Sequence, residues 1–415
     1  MKKRLARGFS SLAVRNYRLY FLGQLVSVSG NWMQEIAVAW LVLKLTNSVF
    51  ALGVSTALQT VPYLFTGVWG GLLADRVPKR RLLICTQVAQ LVAPISLWAL
   101  TVHGTDQVWM VYAIIVFRGF ANTVDNPARQ SFVSEMVGMD RVVNAVSLNA
   151  SLVQGGRLVG PAVAAGIIAT LGLAACFLVN ALTFVFMIAM LLLMRPSELR
   201  PAPVTPPGKG QLRAGLAHAA RTPELRLPLA LMAIVGPLSL NFTVVLPAIA
   251  RFTYHGTATT YALMMNFLAA GALVGALLTA TRTVVTRRMV SWAAVAFGVA
   301  LAVAASVNTL WIALVAMLAV GAASVTFSAS VQSALQLAVE PEMRGRIISL
   351  YQIVFKGMTP LGALIIGTLA AVSGARSGLV AGAVAALAAG AGGLWRRGKA
   401  GDMGVAVAGP SEQGA

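Results

Sequence analysis

Charge is scarce in this chain, and negative charge scarcer still. Of its 415 residues only 11% are charged, with 12 acids against 32 Lys and Arg. A soluble domain carries about 25% charged residues, so there is too little polar surface here to wrap a water-soluble globule. Cysteine is nearly absent. Cys85 and Cys176 both fall in apolar runs, which leaves no disulfide framework and no ligand spacing for a metal. The three histidines, His103, His218 and His255, are scattered among loops and a surface segment. No G-x-x-x-x-G-K-[ST], H-E-x-x-H or G-x-S-x-G motif occurs, so nucleotide-driven work through a phosphate loop and the common hydrolytic chemistries have no residues to run on. An intramembrane enzyme would need a nucleophile with its base, or a metal cluster, and the sequence offers neither. No cofactor is expected.

Apolar residues make up 58% of the chain, and they fall in runs. A membrane span needs ~20 mostly apolar residues. Twelve candidates lie at 17–43, 50–74, 81–102, 108–134, 142–169, 173–194, 226–250, 258–281, 289–306, 309–336, 346–371 and 376–395. Backbone groups in lipid must be satisfied internally, so the expected fold is all-α. MKKRLAR before the first run resembles a signal peptide, but no small-residue cleavage site follows. The run is expected to stay as the first span.

The basic residues orient the chain. With both termini in the cytoplasm, 25 Lys and Arg fall on that side, three on the other (Lys44, Arg251, Arg376) and four inside spans (Arg118, Arg129, Arg157, Lys356). Such a bias is the positive-inside signature. The net charge of +20 is therefore expected to meet anionic lipid and not nucleic acid. Trp109, Tyr112, Trp311 and Trp395 sit at span ends as interface anchors.

A Pro-rich stretch, RPSELRPAPVTPPGKG, interrupts the pattern after the sixth span. Behind it, Leu212, Leu216 and Ala219 line one side of a short amphipathic segment suited to the membrane face. The expected organisation is a six-helix bundle over 1–194, a cytoplasmic linker over 195–225, a second bundle over 226–397 and a disordered tail over 398–415. The halves look related. At an offset of 202, Gly119 falls on Gly321, Gln130 on Gln332, Gly155 on Gly357 and Gly160 on Gly362. Matching spans run the same way, so this is a parallel repeat. Transporters with such halves bind substrate near mid-membrane between them.

Several segments carry the detail. GGLLADRVPKRRLL follows span 2 and resembles the loop signature of the major facilitator superfamily. Gly71, Asp75, Arg76, Lys79 and Arg80 match it, and Pro78 replaces its second glycine. The resemblance implies a cytoplasmic gate closed by charge pairs and helix-end contacts. The plainer alternative is that these cations merely obey the positive-inside rule. Asp125, in span 4, could join that gate by meeting Arg76, pair with Arg129 four residues on, or carry a proton. In span 5, QGGRLVGPAVAAG places Gly156, Gly160 and Pro161 as in the superfamily's antiporters, a likeness that implies export. Small residues at this spacing also serve ordinary helix packing. NPARQ, RVVNAVSLNASLVQGGRLVGPAVAAG, GLAHAARTPELR and PEMRGRIISL look like a branch of bacterial exporters related to the enterobactin exporter.

Glu35 stands in GNWMQEIAVAW, inside the first apolar run. Ser27, Asn31 and Glu35 are four apart and share a helix face. Arg118 lies ~15 Å from the start of span 4 at ~1.5 Å per residue, close to mid-membrane. An unpaired cation at that depth is costly. Glu35 is therefore expected to pair with Arg118 or Arg157 and to couple transport to protons. The alternative is a Glu hydrated near the outer mouth. Asn31, Gln34, Arg157 and Lys356 are the candidate cavity residues. Together with Arg118, Arg157 and Lys356 would favour an anionic substrate, unless Lys356 is taken by a nearby acid or carbonyls.

The expected protein is a monomeric secondary transporter of the cell membrane, exporting a small amphipathic drug, siderophore or metabolite for protons by alternating access. An uptake permease, a lysolipid transporter on the same fold or a non-transporting sensor are the rivals.

Overall fold

The computed structural model describes residues 10–105, 107–138, 140–200, 222–280, 285–339 and 341–395. At 68, 71, 72, 74, 75, 223, 280, 341–346, 348 and 349 it describes the backbone alone. The predicted amphipathic segment, most of the Pro-rich linker and the tail fall outside the described residues. Among those described, the chain is helical and contains no strand.

The first six spans are continuous helices: α1 Arg15–Thr46, α2 Val49–Arg76, α3 Lys79–His103, α4 Val108–Val137, α5 Val142–Leu171 and α6 Leu173–Leu192. Glycines in left-handed backbone close several of them, as Gly104 does after α3 at φ 65°. The seventh predicted span is broken. It forms α7, Pro223–Ser239, and α8, Phe242–Ala248, and ends in a π turn over Ile249–Thr253. Pro237 stands in the last turn of α7, and past it the Asn241 side chain takes up the Pro237 carbonyl. Next come α9 Ala258–Ala280, α10 Arg287–Ser306 and α11 Leu310–Leu337. The eleventh span also divides, into α12 Pro341–Gly357 and α13 Thr359–Ser373, with Pro360 in the first turn of the latter. The last helix is α14, Ser377–Trp395.

Among the described residues, eleven stretches are long and apolar enough to cross a membrane, one for every predicted span except the first. The exception is α1, whose apolar run is diluted by Gln24, Ser27, Asn31, Gln34 and Glu35. Elsewhere large apolar side chains lie on the surface: Phe65, Trp69, Trp311 and Val372 are among the most exposed. Trp109, Trp311 and Trp395 are exposed as expected of interface anchors. Tyr112 is not, because its hydroxyl reaches inward to the Ala51 carbonyl at 3.0 Å.

The helices cluster into two compact units. One holds α1–α6 with Leu246–Asn266, the other the remainder from α7 onward. In the first unit α1 is central and packs on α5 and α6. Lipid gives helices no hydrophobic reason to associate, so contact depends on close packing and hydrogen bonds. Small residues supply it. A side chain at Gly23 would strike Met187 of α6, and one at Gly156 would strike Val28, 2.6 Å away.

The internal repeat is visible in this packing. Gly119 of α4 lies against α2, where an added Cβ would meet Pro62 and the Gln59 carbonyl at 2.8 and 2.9 Å. Gly321, its counterpart, lies against Leu268 and Ala272 of α9 in the second unit. Gly160 lies against α1, and its counterpart Gly362 against Pro237 of α7. Equivalent glycines thus bring equivalent helices together in each unit.

Candidate functional site

Helix α1 is the polar axis of the first unit. One helical turn separates Asn31 from Glu35, so both meet α4. Arg118 Nη1 donates to Glu35 Oε1 at 2.9 Å, and Arg118 Nη2 to Asn31 Oδ1 at 3.0 Å. From α2, Gln59 Nε2 donates to the same Glu35 oxygen at 2.6 Å. Three helices therefore converge on one carboxylate. Arg118 is 7% exposed and its Nε has no partner. The Glu35 side chain is more open, at 24%. Both residues lie ~15–17 Å along their helices from the same end of the unit, half the ~30 Å hydrocarbon thickness.

The pair is charge-assisted and mostly dry, so each partner depends on the other.

Arg157 was a second possible partner for Glu35. Its guanidinium lies instead over the Trp32 ring, 5.3 Å from the centroid, a cation–π contact. Gln34 departs from the predicted cavity as well. It is ~100° around the helix from Glu35, buried, and bonded by Asn180 of α6. Lys356 belongs to the second unit, in the last turn of α12. With Arg118 neutralised by Glu35, the predicted positive balance loses one of its three cations.

About 10 Å further along α4 from Arg118, toward the end that carries the basic loop, a second polar cluster forms. Asp125 Oδ1 accepts from Thr86 Oγ1 at 2.7 Å and Gln87 Nε2 at 2.8 Å, both on α3. Asp125 Oδ2 takes Arg129 Nε at 3.0 Å, and Arg129 reaches on to Gln24 of α1. The expected contact with Arg76 is not made: Arg76 is exposed, whereas Asp125 points into the helix bundle. Lys79 pairs with Glu135 at 2.7 Å. Arg80 donates to the carbonyls of Leu191 and Leu192 at 2.8 and 3.0 Å, capping the α6 terminus. The side-chain surroundings of Gly71 and Asp75 lie outside the described residues.

Gly160 and Pro161 are buried on α5, beside Gly156. A Cβ at Gly160 would come within 2.5 Å of Trp32 Cβ and 2.7 Å of the Ser29 carbonyl. Gly160→Val is expected to push α1 and α5 apart at a cost of about 1–3 kcal/mol, read as a lower thermal midpoint in detergent. Gly155→Ala on the same helix, where nothing crowds the position, should leave that midpoint unchanged.

Gln59, Asn180, Gln24, Glu135, Thr86 and Gln87 escaped the sequence reading. The available signal was a polar residue inside an apolar run, the same signal that exposed Glu35. Gln59 shows it most plainly, three residues before Pro62 in α2.

Comparison with known proteins fits this architecture. The model of the transmembrane secretion effector family, a major facilitator family, matches residues 6–403. The chain belongs to this family. It is a multi-pass membrane transporter and not an enzyme. Among family-level relatives, the staphyloferrin A transporter of Staphylococcus aureus is 24% identical over 86% of this chain and 90% of its own. The enterobactin exporter of Citrobacter koseri is 25% identical over 63% of this chain and 62% of its own, as the branch resemblance anticipated. A crystal structure of a nucleoside transporter shares the fold, with a TM-score of 0.71 at 12% identity over 92% of this chain and 98% of that one.

Proposed function

We propose that this transporter exports small amphipathic molecules in exchange for protons, by alternating access. The observation that carries the proposal is the Glu35 carboxylate, shared by Arg118 and Gln59 at mid-helix depth. A lone acid in α1 has no packing purpose there. A proton and Arg118 compete for the same carboxylate oxygen. Asn31 and Arg157 with Trp32 offer the substrate polar and aromatic contacts. The antiporter-like Gly156, Gly160 and Pro161 and the exporting relative both favour outward flux. The basic loops favour a cytoplasmic position for both termini of a cell-membrane protein. They support an inner-gate role for Lys79 and Arg80 with the neighbouring Gly71, Asp75 and Arg76. The substrate is kept broad in class, because Arg118 is already paired.

Purified protein in liposomes with an imposed pH gradient tests this. Ethidium and fluorescein serve as cationic and anionic probes. A gradient of protons running out of the substrate-receiving compartment should drive accumulation of at least one, and a protonophore should collapse it. Flux indifferent to the gradient and the protonophore would remove the antiport reading.

A further inference from the structure

Within the second unit, α10 and α11 pack side by side and leave a groove between them of about 470 Å³. Trp292, Val299 and Val303 form one wall; Ala296, Ala300, Ala316 and Ala319 form a floor of small side chains. The lining contains no charged group. Trp292, Val299 and Val303 are each about half exposed, so the groove opens sideways. On a helix that crosses the bilayer, that direction is lipid.

The groove has a polar end. Arg288 stands four residues before Trp292, on the same helix face and ~6 Å below it. It is exposed. Its neighbour Arg287 is already paired with Glu224. From Trp292 to Val303 the lining runs ~17 Å along the helix, against ~15 Å for one leaflet of a ~30 Å hydrocarbon core. Length, apolarity, an interfacial tryptophan and a cation at one end all match a single kind of occupant.

We propose that this groove binds one anionic phospholipid, with an acyl chain along the alanine floor and the phosphate at Arg288. A second copy of the chain is a poorer fit, because it would leave Arg288 facing its own symmetry mate. An uncharged lipid would fill the groove but not satisfy the cation. A basic residue beside an anionic lipid surface is worth about 1 kcal/mol, equivalent to about fivefold in affinity.

The test uses the full chain in nanodiscs of phosphatidylcholine, titrated with phosphatidylglycerol brominated on its acyl chains. Bromine quenches nearby tryptophan, so Trp292 reports occupancy. Saturable quenching is expected, and Trp292→Phe should lose that component. Arg288→Gln should weaken the titration about fivefold, and Ala300→Leu should narrow the floor and weaken it too. Both sites face lipid, so both variants should fold. Equal quenching by brominated phosphatidylcholine, or an unaltered titration in Arg288→Gln, would overturn the proposal. So would a dimer in detergent that Ala300→Leu dissociates, since the groove would then belong to a subunit interface.

Discussion

Glu35→Gln is expected to cut proton-driven transport by roughly ten- to a hundredfold while the protein still reaches the membrane. The amide keeps the shape of the carboxyl. Its oxygen can still accept from Gln59 and from Arg118 Nη1, the two bonds seen at 2.6 and 2.9 Å. What disappears is the charge. A hydrogen bond to a charged group is worth about 1.5–3 kcal/mol, and tenfold in an equilibrium corresponds to about 1.4 kcal/mol. The exchangeable proton disappears with it, so the pH gradient loses its handle on the cycle. Downhill flux of substrate should survive at a rate that no longer responds to pH. Glu35→Asp, which keeps the charge and shortens the arm, should recover part of the gradient response. Arg118→Gln leaves the carboxylate without its cation, and gradient-driven accumulation should fall with it. The measurement is accumulation in liposomes against an imposed pH step. Undiminished, gradient-sensitive accumulation by Glu35→Gln would remove Glu35 from the coupling path.

How far the sequence could be read depended on whether a residue's meaning was local. Helix ends were local. Ser48 caps α2 through its side chain, Gly104 turns out of α3, and the predicted limits of most spans fall within a few residues of the observed ones. Paired glycines were legible for a similar reason. A membrane helix has few ways to approach another, and Gly119 and Gly321 mark the same one twice. Depth along a helix was legible too, which brought Arg118 level with Glu35. Rotation was harder. Gln34 is adjacent to Glu35 in sequence yet faces α6, because one residue turns a helix by ~100°. Partners across the bundle were harder still. Nothing local to Asp125 says that Thr86 and Gln87 lie opposite, whereas its i+4 neighbour Arg129 was within reach of pattern reasoning. The breaks at Leu240–Asn241 and Met358 were missed because Pro237 and Pro360 stand inside unbroken apolar runs, and a proline in a membrane helix can bend it without ending it.

Asp125→Ala is expected to be the most destabilising single change in the first unit, by about 3–5 kcal/mol. The Asp125 side chain is only 1% exposed, and that of Arg129 16%. Removing the carboxylate strands the guanidinium among apolar neighbours. It also orphans one donor on α3, Gln87 Nε2, while Thr86 Oγ1 keeps the Leu83 carbonyl at 3.0 Å. The damage should reach α1, because Arg129 also holds Gln24. Expression should fall, and the thermal midpoint in detergent with it. Asp125→Asn should recover only part of this, since its oxygen can still accept from Arg129 but carries no charge. The informative comparison is the double variant Asp125→Leu with Arg129→Met. Breaking a buried pair from one side is costly, while replacing both partners with apolar groups of similar size is often close to neutral. The double variant should therefore be more stable than Asp125→Ala alone, with transport retained. A structural node tolerates that exchange and a proton carrier does not. Recovered stability with all gradient-driven transport lost would move Asp125 from the scaffold into the coupling machinery.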